Sequence, residues 1–245
     1  MAITVTNISR LETAVGASVS GAITDMAADS LMVAVISNYG AAASGTQASD
    51  SENGGNYSTV VSRGGSATLV GIAGFYLQNS VGGATSSGNC SGAVGTAGMV
   101  AVFYEVAGAS TSAAFVAGES ASTNGTSTIP NPGTIVNSNS SAFFIAGMTD
   151  MEAGNPINYN INAAGTDGTW VQNTSSGREL NGLTYPAMGT VYQIVTSSVT
   201  RTHVWGLGAV STQWWAINMI MSAPIGGGAP SRNTGYSRGL LGVGR

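Results

Sequence analysis

The chain has 245 residues, only 7% of them charged, against about 25% in an ordinary globular protein. Hydrophobic residues make up 43%, enough to bury a sizeable core and to exclude disorder driven by charge. One cysteine, one histidine and no lysine exclude an internal disulfide, a multi-histidine metal centre and the basic stripe that nucleic acid requires.

The opening "MAITVTNISRLETAV" has neither the basic n-region nor the long apolar core of a signal peptide. No apolar stretch approaches the ~20 residues that span a bilayer as a helix. The expectation is a protein used without secretion and without a membrane.

Taken in chain order, the hydrophobic runs are short and rich in β-formers. "ITVTNIS" is a weak first strand, and "TDMAADSLMVA" offers at most a short turn of helix before the β-branched run takes over. The clear strands are "SLMVAVISNYG" (30–40), "ATLVGIAGFYLQ" (67–78) and "GMVAVFYEVAG" (98–108). Then come "SAFFIAGMT" (141–149), "TVYQIVT" (190–196), "HVWGLGAV" (203–210) and "QWWAINMIMSA" (213–223), with "SAAFVAGE" and "NYNINAA" as weaker candidates. Period-two alternation, as in residues 99–106, suits strands packed in a sandwich. "AAASGTQASDSENGG" and "GGATSSGNCSGAVGTAG" are long for hairpins and read as sheet-crossing or surface loops, which puts Cys90 in a loop. About ten short strands without a fixed repeat period predict an all-β jelly-roll β-sandwich.

The core is expected to end at Ile225. Residues 1–225 form the jelly-roll body, and 226–245 form an extended Gly-rich C-terminal arm. Charge divides along the same line. Residues 1–231 hold four arginines and all eleven carboxylates, whereas 232–245 hold three arginines and no acidic side chain. Such an arm gains little by folding on itself and more by lying along another subunit. Arg232, Arg238 and Arg245 are its candidate partners for carboxylates, and Tyr236, Leu240 and Leu241 its candidate apolar anchors.

"DSLMVAVISNYG", "SDSENGGNYSTV", "MVAVFYEVAGAS", "AFFIAGMTDMEAG" and "VYQIVTSS…THVWGLGAVSTQWWAINMIM" resemble jelly-roll domains of tailed-bacteriophage virion structural proteins. The resemblance covers roughly residues 25–223. It implies a virion location and other virion proteins as partners.

Candidate chemistry is sparse. His203 reads as a half-exposed strand histidine, because no nucleophile motif accompanies it. Asp150 and Glu152, with Glu105 as a further carboxylate, are the material for a jelly-roll glycoside hydrolase. Asp50 and Glu52 fit an oxygen-lined Ca²⁺ turn or a plain turn. Trp205, Trp214 and Trp215, with Trp170, are candidate interface or glycan-stacking aromatics. Trp214 and Trp215 must point to opposite faces of one strand, so at least one belongs to a core.

The sequence therefore predicts a non-enzymatic capsid decoration or cement protein, with no catalytic residue, cofactor or metal. Its expected partners are the major capsid protein and copies of itself, with no nucleic acid. A tail or fibre component with a glycan-binding role, or a glycoside hydrolase, are the competing expectations.

Overall fold

The computed structural model describes residues 2–13, 16–40, 45–64, 70–92, 98–109, 119–150, 159–172, 187–207 and 213–222. The arm falls outside these residues, as does Glu152.

Eight strands come from the first half: β1 (Thr4–Thr13), β2 (Ser18–Met26), β3 (Leu31–Tyr39), β4 (Gln47–Asp50), β5 (Ser58–Gly64), β6 (Val70–Leu77), β7 (Gly83–Ser91) and β8 (Gly98–Ala107). They form a five-stranded sheet, β1-β8-β3-β6-β5, and a three-stranded sheet, β2-β7-β4, with antiparallel pairing throughout. Apart from β5 and β6, which pair within the large sheet, strands consecutive in the chain alternate between the two sheets, as in a jelly roll.

The second half contributes β9 (Ser120–Gly125), β10 (Thr134–Asn137), β11 (Ala142–Asp150), β12 (Val171–Gln172), β13 (Ala187–Val195), β14 (Val199–Thr202) and β15 (Trp214–Ser222). Its five-stranded sheet runs β9-β15-β11-β13-β12 and its small sheet β10-β14. Matched strand for strand, this is the first half's order again. The counterpart of β4 shrinks to a single bridge, Asn160 to Gly206. A chain with no sequence period thus carries the jelly roll twice.

The two large sheets lie back to back. Val33, Val35, Val102 and Tyr104 from one half share an apolar layer with Phe143, Ile145, Trp215 and Ile217 from the other. A second layer, with Phe75, Phe103 and Cys90, fills the first jelly roll. A third, with Phe144, Trp205 and Trp214, fills the second. The inner strands are therefore covered on both faces, and all nine residues of β11 and of β15 are buried. This is why they read as unbroken hydrophobic runs. Close contact of the layers requires small residues at two points. A Cβ on Gly74 would lie 2.6 Å from Met219 Sδ, and one on Gly147 would lie 2.9 Å from Val35.

Four expectations change. "GGATSSGNCSGAVGTAG" is not a loop over its first half, because residues 83–91 are β7, and Cys90 is buried at 1% exposure in that strand. "HVWGLGAV" is not a strand over its described residues 203–207, which are irregular apart from the Gly206 bridge. "NYNINAA" is a turn and bridge over 159–164. "TDMAADSLMVA" has no helical turn: β2 ends at Met26, a tight turn follows, and β3 starts at Leu31.

Candidate functional site

The side chains able to do chemistry point into the three apolar layers. Glu105 lies on β8 and projects into the first jelly roll, because it shares a face with Met99, Ala101 and Phe103. It is 3% exposed. Its Oε1 accepts from Ala27 N–H at 2.6 Å and from Ser30 Oγ at 2.9 Å, which ties the β2–β3 turn to the middle of the sheet. Beside it is a small cleft lined by Asn7, Ser9, Ile23, Met32 and Phe103, with room for one water-sized group.

Asp150 ends β11 and projects the opposite way, on the face of Phe144, Ala146 and Met148. Its Oδ2 accepts from Tyr159 Oη at 2.9 Å. Glu105 and Asp150 therefore occupy different cores, with both large sheets between them. No sugar ring can sit between this pair, although paired-carboxylate hydrolysis needs that arrangement.

Asp50 at the end of β4 organises its turn. Oδ1 accepts from the backbone N–H of Glu52 and Asn53 at 2.9 and 2.8 Å, and Oδ2 accepts from Tyr57 Oη at 2.7 Å. Asn53 Nδ2 donates to both carboxylate oxygens. This carboxylate is saturated by the chain's own donors, so the turn reading holds. Burial and the adjacent Asp50 carboxylate hold the Tyr57 hydroxyl far above the usual phenol range.

His203 is not half-exposed but wholly buried. Its ring lies edge-on to Trp170 at 4.8 Å and to Trp205 at 4.5 Å. Nε2 sits 3.0 Å from the Ile161 carbonyl, so Nε2 carries the proton and donates. Nδ1 and the neighbouring Trp205 Nε1 have no hydrogen-bond partner among the described residues. Burial outweighs the Ile161 bond and lowers the histidine pKa to about 3. The imidazole is neutral across the physiological range and unable to reach a substrate in solvent.

The candidate aromatics also turn inward. Trp205 is fully buried in the second core, and Trp215, 1% exposed, lies in the layer between the halves. Trp214, at 5%, lies in the second core and donates its Nε1–H to the Ser127 carbonyl at 2.9 Å. Trp170 donates likewise to the Asp167 carbonyl. The expectation of exposed glycan or interface platforms is corrected: opposite faces of β15 face two different cores, so both indoles are covered.

The outer face of the three-stranded sheet is neutral. The outward face of β2-β7-β4 presents Ser18, Ser20 and Ala22, then Ser87, Asn89 and Ser91, then Gln47 and Ser49. None of the eight is charged. Sequence reading missed this face because Ser, Gly and Asn carry weak strand signals. Only the alternation of exposed and buried residues along 87–91 marks it.

No family model matches the chain, and no curated protein matches it. Among solved structures it is compared with a salicylate 1,2-dioxygenase from Pseudaminobacter salicylatoxidans. The TM-score is 0.18 and the identity 8%, over 82% of this chain and 70% of that one. A likeness at that level carries no argument about fold or chemistry.

Proposed function

We propose that this chain is a non-enzymatic structural protein of a tailed-phage particle, a decoration or cement protein that reinforces the shell. One observation carries the reading. Asp50, Glu105, Asp150, His203 and the four tryptophans are buried and spent on the chain's own packing, while the outer sheet offers hydroxyls and amides. A surface of that kind approaches other protein surfaces without desolvating charges.

The arm belongs to the same proposal. Arg232, Arg238 and Arg245 pair with carboxylates on a neighbouring subunit, and Tyr236, Leu240 and Leu241 fill apolar notches there. Modest contacts repeated over an array hold through avidity. The major capsid protein and further copies of this chain are the proposed partners, and the virion is the proposed location.

The test is co-sedimentation with particles stripped of this protein. The parent chain is expected to bind, and a triple variant, Arg232→Ala, Arg238→Ala and Arg245→Ala, is expected to bind far less. Failure of the parent chain to bind rejects the reading. Equal binding by both rejects the arm.

A tail or fibre component that binds glycans is the second reading, favoured by the Ser- and Asn-rich face of β2-β7-β4. Retention of the parent chain on host polysaccharide without particles would select it.

A further inference from the structure

The layer between the two jelly rolls is open along one side. There β8 of the first half faces β13 of the second: Tyr104 lies edge-on to Tyr192 at 5.9 Å. One strand further out, Ile8 on β1 pairs with Tyr104, and Val171 on β12 pairs with Tyr192. Residues directly opposite in an antiparallel ladder share a face, so Ile8 and Val171 stand at the two lips of the layer. Ile194 shares that face, because it pairs with Phe143. Among the described residues six large hydrophobic side chains are exposed, and Ile8, Val171 and Ile194 are three of them, at 37, 45 and 37%. Single exposed apolar residues are ordinary, but these three continue one core into solvent.

We propose that this margin is the seat of the C-terminal arm, with Leu240, Leu241 and Val243 closing the layer over Ile8, Val171 and Ile194. In an isolated chain the arm is the chain's own. In an array a neighbour's arm takes the same place, and that exchanged form rests on the assembly reading above. Exchanging an identical element between copies leaves the contact itself unchanged.

The course of the chain selects this occupant. Ser222 pairs with Ala142, and Ala142 pairs with Val195, so the chain leaves β15 at the end of the sheet where Ile194 stands. From β15 to β13 is two strand spacings, about 10 Å. Leu240 follows Ser222 by 18 residues, and a Gly-rich linker of that length averages about 23 Å from end to end. The margin is therefore within reach without stretching.

Side-chain chemistry agrees. Past Ile225 the large apolar side chains are Tyr236, Leu240, Leu241 and Val243. In extended chain Leu241 and Val243 point the same way, at the spacing of Tyr192 and Ile194 on β13. Gly239, Gly242 and Gly244 carry no Cβ, so the backbone between these anchors can lie close against the layer. The opposite side of the layer needs no such cover. There Val61 on β5 is partly buried against the core, and Arg63 Nε donates across to Asn124 Oδ1 on β9 at 2.8 Å.

Cross-linking in the full chain tests the seat. Val171→Cys and Gly239→Cys are introduced together and joined by a short bismaleimide in dilute solution, where the native Cys90 is buried and stays silent. The internal link should form about tenfold faster than in the same chain carrying Leu240→Ser, Leu241→Ser and Val243→Ser, whose arm is tethered equally but has lost its anchors. Equal rates overturn the seat, since the tether alone then accounts for the link. Chains with one cysteine each, mixed at high concentration, should give a product of twice the 24.4 kDa of one chain, and the Ser-substituted arm should not. Absence of that product overturns the exchanged form. Co-sedimentation with stripped particles separates the two readings. Particle binding without the fast link places the arm's anchor elsewhere and rejects the seat. The fast link without particle binding upholds the seat and rejects the assembly reading.

Discussion

Ser37 on β3 and Thr149 on β11 meet between the two jelly rolls, their hydroxyls 2.7 Å apart and both side chains wholly buried. Thr149 gives its own proton to the Ala187 carbonyl at 2.6 Å, so Ser37 is the donor in the contact between halves. Nearby, Tyr104 Oη donates to Thr190 Oγ1 at 2.7 Å. These are polar contacts within an apolar layer, and they fix how one half sits on the other, because a slid or rotated arrangement would strand them.

Removing either side of the first contact leaves a buried hydroxyl without its partner. Ser37→Ala is expected to cost about 1–3 kcal/mol. Thr149→Val should cost a similar amount, because the Ala187 carbonyl also loses its donor. The double variant should cost less than the sum. Urea unfolding of the four chains in a double-mutant cycle measures the coupling.

Gly74 and Gly147 are needed for the closeness of the sheets rather than for their backbone angles. Gly147→Val is expected to wedge the layer apart at Val35 and Ile72, at a cost of about 1–3 kcal/mol or more. At roughly 2–4 °C per kcal/mol for a chain of this size, a thermal melt resolves the loss. Gly55→Ala is the control, since a Cβ there meets nothing closer than 3.9 Å.

His203 makes stability fall in mild acid. Its pKa is about 3 when folded, against 6.5 for the free group, so the unfolded chain binds the extra proton between those values. Stability from this group is complete above pH 6.5 and is lost as pH falls toward 3, by a few kcal/mol. Asp150 is held by Tyr159, and the Asp167 carboxylate accepts from Thr202 N–H. The urea midpoint should drop over this window, and His203→Phe should flatten that part of the profile.

Glu105 is a fastener of the β2–β3 turn. Glu105→Ala strands the Ala27 N–H and the Ser30 hydroxyl, and should cost about 2–4 kcal/mol. Glu105→Gln keeps a carbonyl oxygen for both donors and should cost clearly less. Hydrogen exchange at Ala27 distinguishes the two variants, because its amide is protected only while the acceptor is in place.

The inner sheets were legible in the sequence because burial on two faces leaves little room for polar residues. "LMVAVISNY", "MVAVFYEVA", "AFFIAGMTD" and "WWAINMIMS" announce themselves. The outer sheets were not. β7 is written in Gly, Ala, Ser, Thr, Asn and one Cys, and β10 is only four residues long, so both resemble loops until a neighbouring strand supplies the ladder. The doubling of the jelly roll was hidden for the same reason, since it survives in strand order and not in residue identity. As for the site, the sequence offered the right residue types but not their direction. A strand buried on both faces gives no sign of which core Glu105 or Asp150 enters. His203 read as half-exposed because the segment around it alternates like a strand, although it folds irregularly under two indoles.

The shared middle layer ties the fates of the two halves. A duplicated fold ordinarily gives a lineage two separable modules, each free to be lost, shuffled or rebuilt alone. Here a lone jelly roll would present one face of a five-stranded sheet, studded with Val, Ile, Tyr and Phe or Trp, directly to water. Neither half can be discarded while the other is kept, so the unit of inheritance and of melting is the pair.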